Sequence, residues 1–141
     1  MTTDALRIWA AEKSLLSPAT RNNVAWLETL LAPDFHAVGL FGEQLSRSTA
    51  IGRVSMQSSQ VGTWAISEKR LDRLSGGLIL LTYVLEFGEV TSRRSSLWRH
   101  TPESTQILFH QATHLGTREP RGLRLVRSAL GDLPTDRDSF T

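Results

Sequence analysis

Residues 78–87, LILLTYVLEF, constrain this chain more than any other stretch. Every position from Leu78 to Leu81 is apolar, and Val84, Leu85 and Phe87 extend the run. The types are β-formers, and the length suits a strand better than a helix. A strand with one wet face alternates apolar and polar residues, and this one does not. Both of its faces therefore need cover. Helices can cover one. A second copy of the chain is the simplest cover for the other, which predicts a homodimer through the sheet. The alternative cover is the C-terminal tail.

The flanking pattern supplies the helices. Asp4 is placed to cap, and Leu6, Trp9, Ala10, Lys13 and Leu16 recur at helical spacing. A second helix is expected over 19–32, striped by Val24, Leu27 and Leu31, with Trp26 and Leu30 beside them and Pro33 as its stop. The period then changes to two. Residues 35–41 read as a strand, Gly42-Glu43 as a turn, and 44–47 as a short return strand. Ser48 opens a short helix near 49–57. Residues 64–74 alternate imperfectly, which predicts a bulge near Lys69-Arg70. Ser75-Gly76-Gly77 turns the chain into 78–87, and two more strands, 91–101 and 105–114, meet at a turn on Pro102-Glu103-Ser104. Helices first and strands later gives an α+β fold with a mostly antiparallel sheet.

Bulk properties exclude several classes. With 141 residues the chain fits one domain. No apolar run approaches the ~20 residues of a membrane span. The N-terminus lacks a basic stretch before its apolar residues, so a signal peptide is not expected and the cytoplasm is the default location. Zero cysteines exclude disulfides, thiolate metal sites and a cysteine nucleophile. The isoelectric point of 9.7 suggests a nucleic-acid binder, yet the net charge is only +2. Arginine dominates the cations, so a small excess sets a high isoelectric point. The weak field and the lack of a reading motif argue against nucleic acid. Four arginines lie between 118 and 127, and the segment 117–141 reads as an arginine-rich tail on a domain of residues 1–116.

Three segments carry a resemblance: LAPDFHAVGLFGEQLSRSTAI (31–51), SRRSSLWRHT (92–101) and QILFHQATH (106–114). With the order of elements, they resemble the nuclear transport factor 2-like superfamily, and within it the SnoaL-like subgroup, domain of unknown function 4440. The shared features are Leu31 to Phe35 entering the first strand, Ser96 to Arg99, and His110-Gln111 on the last strand. The resemblance covers residues 4–116. It implies a cone-shaped cystatin-like fold, a curved antiparallel sheet wrapped around N-terminal helices, with a pocket between them and a dimer through the outer sheet face. It leaves function open, because isomerases, dehydratases, cyclases, adaptors and immunity proteins share the fold. Two departures stand out. Thr105-Gln106 occupy the position where relatives carry a tryptophan. Val38-Gly39-Leu40 stand where the isomerases keep an aspartate base, and the helices contain no tyrosine.

Candidate ligand-binding residues follow from strand facing. Arg94, Ser96, Trp98 and His100 share one face of their strand, and Arg93, Ser95, Leu97 and Arg99 the other. An arginine beside Trp98 suits an acidic, flat ligand, while a cross-strand pair with Glu86 or Glu89 is the plainer role. Tyr83, the single tyrosine, either polarises a carbonyl or packs. His110 and His114 share a face but stand ~13 Å apart, too far to hold one metal. Ile107, Phe109, Gln111 and Thr113 form the opposite face, with a texture that suits a pocket or a core edge. Tyr83, Arg94, Trp98, His110 and Gln111 are the candidates, without a metal site or a cofactor motif: no phosphate loop follows the glycines and no nucleophile elbow is present. The expectation is a pocket for a small, acidic organic ligand, with catalysis left open. The competing expectation is a dimeric adaptor or immunity-type interaction domain.

Overall fold

A computed structural model describes residues 2–17, 23–56 and 64–117. Helix α1 spans Thr3–Ser14, with Thr2 rather than Asp4 at its N-cap, accepting from the Ala5 N–H at 3.1 Å. Helix α2 spans Val24–Leu30 and is capped by Asn23, whose Oδ1 accepts from the Trp26 N–H. Strands β1 (Leu31–Val38) and β2 (Gln44–Ser46) follow, then helix α3 (Arg47–Met56). Strands β3 (Trp64–Arg73), β4 (Leu78–Phe87), β5 (Val90–His100) and β6 (Thr105–Thr117) form a meander. The expected tail lies outside the described residues.

The sheet is six-stranded, curved and unclosed, in the order β2-β1-β6-β5-β4-β3. All pairings are antiparallel except β1 with β6. The α+β architecture matches the sequence reading. The junction between α2 and β1 lies earlier in the chain than the expected 32/35, and β1 ends at Val38 rather than 41. Helix α2 stops at Leu30, and Pro33, expected as its terminator, sits inside β1. Proline has no N–H to give the ladder, and the β1–β6 register shifts between Leu31 and His36, around it. The β3 bulge falls between Ser67 and Arg70, where Glu68 takes a φ of 51°. At the β3–β4 turn Gly76 and Gly77 both have positive φ, and a Cβ on Gly77 would meet the His100 carbonyl oxygen at 3.0 Å.

Helix α1 presents a different face from the one the periodicity suggested. Ala5, Ile8, Trp9, Glu12 and Leu16 are buried, whereas Leu6, Ala10 and Lys13 are exposed. Trp9 and Leu16 were shared by both stripes. The true stripe runs through Ile8 and Glu12. In α2, Leu27 and Leu30 turn inward and Val24 and Trp26 outward.

Strand β4 divides its apolar residues between two faces. Ile79, Leu81, Tyr83 and Leu85 join Ile8, Trp9, Trp98 and Ile107 in the core on the helix side. Leu78 and Leu80 turn the other way and stay half-buried. The β5 residues Ser92, Ser96 and Trp98 are buried on the helix side, and Arg93 and Arg99 are exposed on the other, as the alternation predicts. In β6 a register shift opposite Leu97 and Trp98 separates Ile107 from Phe109. Ile107 therefore enters the core, while Gln111 and Thr113 are exposed. The four-residue face proposed for β6 is broken by that bulge.

Candidate functional site

Helix α1 carries one charged residue into the core. Glu12 is 1% exposed, and three donors from two strands meet it. The Tyr83 hydroxyl donates to Oε2 at 2.5 Å, Ser96 Oγ donates to Oε2 at 2.9 Å, and Trp98 Nε1 donates to Oε1 at 2.8 Å. Registry explains the convergence. Tyr83 pairs with Arg94, Leu81 with Ser96 and Ile79 with Trp98, so alternate residues of β4 and β5 descend the same face at matched heights. A buried carboxylate persists where its acceptors are filled, and here both oxygens are.

The network continues into β6. Ser96 and His110 are register partners, and His110 Nδ1 lies 2.6 Å from Ser96 Oγ. Ser96 has one proton and gives it to Glu12, so Nδ1 carries the imidazole proton and donates it to Ser96. Nε2 is then left with a lone pair, and Arg94 NH1 approaches it at 3.4 Å. Arg94 Nε donates to Ser92 Oγ at 3.0 Å. A chain of hydrogen bonds thus runs from Arg94 through His110 and Ser96 to Glu12.

Electrostatics follows from burial. Desolvation, with the Arg94 charge second, holds the His110 imidazole down at about 3, so the ring is neutral. Glu12 Oε2 is 3.8 Å from Nδ1, but the Ser96 hydroxyl stands between them, so burial decides the sign. Burial first, then the Glu12 charge and hydrogen bond, push the Tyr83 phenol far above its ordinary value, which keeps it a donor. Burial also pulls the Arg94 guanidinium down, opposed by Tyr83 and Glu12. It stays a cation. Among the described residues no carboxylate comes within 4.0 Å of it.

Glu12, Arg94 and His110 reach the wall of a cavity of about 350 Å³ between helices and sheet. Its other walls are apolar, with Leu15, Leu27, Leu31, Phe35 and Ile107 prominent. Phe41 and an ion pair stand at its exposed side, where Arg53 NH1 meets Glu43 Oε1 at 2.9 Å. Glu43 also accepts from the Phe41 N–H, and its own backbone hydrogen bond and Arg53 hold its carboxyl below the usual range.

Four of the five residues expected from sequence, Tyr83, Arg94, Trp98 and His110, converge on this network. Gln111 does not: it lies on the outer sheet face and is exposed. The cross-strand pair of Arg94 with Glu86 or Glu89 is also absent, because Arg94 faces the helices, and Arg93 is the arginine that meets an acid, Glu68 at 3.5 Å. Sequence reading missed Glu12. Its signal was its spacing of four from Ile8 and from Leu16 on one helix face. Among the described residues no three histidine, aspartate or glutamate side chains gather as a metal site.

No protein-family model and no curated protein sequence matches this chain. Solved structures do match its fold. An NTF2-like protein from Cytophaga hutchinsonii is 19% identical, with TM-score 0.68, over 82% of this chain and 100% of that one. A provisionally named dehydratase of the NTF2-like family from Streptomyces avermitilis is 13% identical, with TM-score 0.66, over 82% and 98%. A provisionally named calcium/calmodulin-dependent kinase II association domain from Exiguobacterium sibiricum is 16% identical, with TM-score 0.67, over 84% and 98%. The fold is the NTF2-like, cystatin-like one. No described helix is long and apolar enough to cross a membrane.

Proposed function

We propose that this domain binds a small organic acid in the cavity between its helices and its sheet. One observation carries the reading: Arg94 presents a cation on the wall of an apolar cavity and has no carboxylate partner among the described residues. Burial disfavours this cation, the Glu12 charge opposes that only from beyond contact distance, and an incoming carboxylate gains from both charge and bidentate geometry. The apolar walls suit a flat hydrocarbon body. Tyr83, Trp98, Ser96 and Glu12 hold His110 and Arg94 in place beneath it. The motifs of strands β1, β5 and β6 support placement in the SnoaL-like subgroup. The reading stops at binding, since no aspartate stands at the isomerase base position in β1.

The test is a thermal-shift screen of small aromatic and aliphatic carboxylates. A ligand at a hundred times its dissociation constant stabilises by about 2.7 kcal/mol. The effect should vanish in Arg94→Leu while the unliganded variant still melts cooperatively. A screen in which no carboxylate moves the melting temperature overturns the proposal.

A second copy of the chain completes this reading. Leu80, Leu97 and Phe109 are register neighbours across β4, β5 and β6 on the face away from the helices, and all three are half-buried in the single chain. The His36 ring lies against Phe109, tilted by 59° with ring centroids 4.9 Å apart. An apolar row of this kind at the centre of a sheet face supports a homodimer through that face. The cytoplasm remains the proposed location.

A further inference from the structure

The wall of the cavity places a donor and an acceptor side by side. Arg94 offers guanidinium N–H groups beyond the two used on Ser92 and His110. His110 offers the Nε2 lone pair 3.4 Å away, and nothing else in the described residues hydrogen-bonds that nitrogen. The acceptor character is built in. Ser96 spends its one proton on Glu12, so the oxygen facing His110 can only accept, and the imidazole proton is fixed on Nδ1. Glu12 in turn is locked by Tyr83 and Trp98. Four buried residues therefore set the polarity of one nitrogen at the cavity wall. The contact that Nε2 already makes with Arg94 is long for a hydrogen bond, so a better donor displaces it at little cost.

From this we infer that the pocket selects 2-hydroxy acids: the carboxylate sits on Arg94 and the adjacent hydroxyl donates to Nε2 of His110. The inference rests on the carboxylate-binding reading and adds what discriminates among carboxylates. A 2-oxo acid puts an oxygen lone pair against the Nε2 lone pair. An acid with a bare methylene leaves Nε2 with its long bond to Arg94. A site built to pair with a hydroxyl rejects analogues that lack it, because its own polar group is then left unmatched. The apolar walls favour an aryl or branched alkyl group on the same carbon.

The experiment uses three probes with one skeleton, mandelate, phenylacetate and phenylglyoxylate, titrated calorimetrically into the full chain at pH 7. They share the ring and the carboxylate and differ only in the group on the adjacent carbon. Mandelate should bind about five- to tenfold more tightly than phenylacetate, the equivalent of one net hydrogen bond, and phenylglyoxylate should bind most weakly. His110→Phe should bring the three affinities together. Ser96→Ala removes the acceptor that fixes the proton on Nδ1, so the ring can protonate Nε2 instead, and the preference should move toward phenylglyoxylate. The series on the unaltered protein decides the matter even if neither variant folds. Equal binding of all three probes overturns the hydroxyl preference and leaves the carboxylate pocket standing. A mandelate preference that survives His110→Phe also overturns it. No binding of any carboxylate sinks both readings together.

Discussion

Trp98 donates its indole N–H to Oε1 of Glu12 at 2.8 Å, joining the fifth strand to the first helix across 86 residues of chain. Tyr83 and Ser96 do the same for Oε2. The helix is therefore fixed to the sheet by a polar contact inside an otherwise apolar interface. Fully satisfied networks of this kind set one packing arrangement among several that hydrophobic contact alone would accept.

Replacing Glu12 by alanine should be severe. It leaves the Tyr83, Ser96 and Trp98 donors without their acceptor and opens a hole in the core. Unfolding in urea should show a loss of about 3 kcal/mol or more. Glu12→Gln keeps the shape and one carbonyl oxygen that can still accept from Tyr83 and Ser96, while its NH2 faces the Trp98 N–H, so it should lose less than alanine. Equal and small losses in both variants would mean the network contributes little.

Arg94→Leu should behave in the opposite way. The guanidinium is partly desolvated and meets no carboxylate among the described residues, so removing it should leave stability unchanged or raise it by about 1 kcal/mol. Binding of carboxylates should be lost in the same variant. A large loss of stability would instead mark Arg94 as a structural residue.

His110 gives stability a pH dependence below neutrality. Its folded value is depressed to about 3, against about 6.5 for a free imidazole. Between those values the unfolded chain takes up a proton that the folded chain refuses, so stability falls as pH falls from 6.5 toward 3. The slope from this group approaches about 1.4 kcal/mol per pH unit. His110→Phe should flatten that part of the urea-midpoint profile relative to the unaltered chain. An identical profile in both proteins would remove His110 as the cause.

Tyr83 acts at the other end of the scale. Its folded value is raised, so above pH ~10 the unfolded phenol ionises while the folded one does not, and stability falls as pH rises. The chain has one tyrosine, so absorbance near 295 nm reports it alone. The phenolate band should appear only together with unfolding. A phenolate band in the folded protein near pH 10 would contradict the buried pairing with Glu12.

The outer sheet face should carry the assembly. Sedimentation at micromolar concentration should give about twice the 15.7 kDa of one chain. Leu97→Arg or Phe109→Asp should yield a folded monomer, because a charge in the middle of an apolar interface costs several kcal/mol. A monomer from the unaltered chain would refute the dimer.

The pattern of apolar positions was enough to order the elements. LILLTYVLEF reads as a strand apolar on both faces, and the alternation in 91–101 puts Arg94, Ser96 and Trp98 on one face, as they are in the fold. Local periodicity survives folding, so it can be read from the chain. What failed to show was anything decided between elements. The bulge that moves Ile107 into the core and leaves Gln111 outside depends on how β6 fits against β5, and no residue type announces it. Helix α1 contains two overlapping stripes, and which one faces inward was settled by the acceptor that Tyr83, Ser96 and Trp98 needed. Glu12 drew no notice in the sequence because its three partners lie 71 to 86 residues away. A buried charge is stable only where its partners converge, and that convergence exists only in the folded chain.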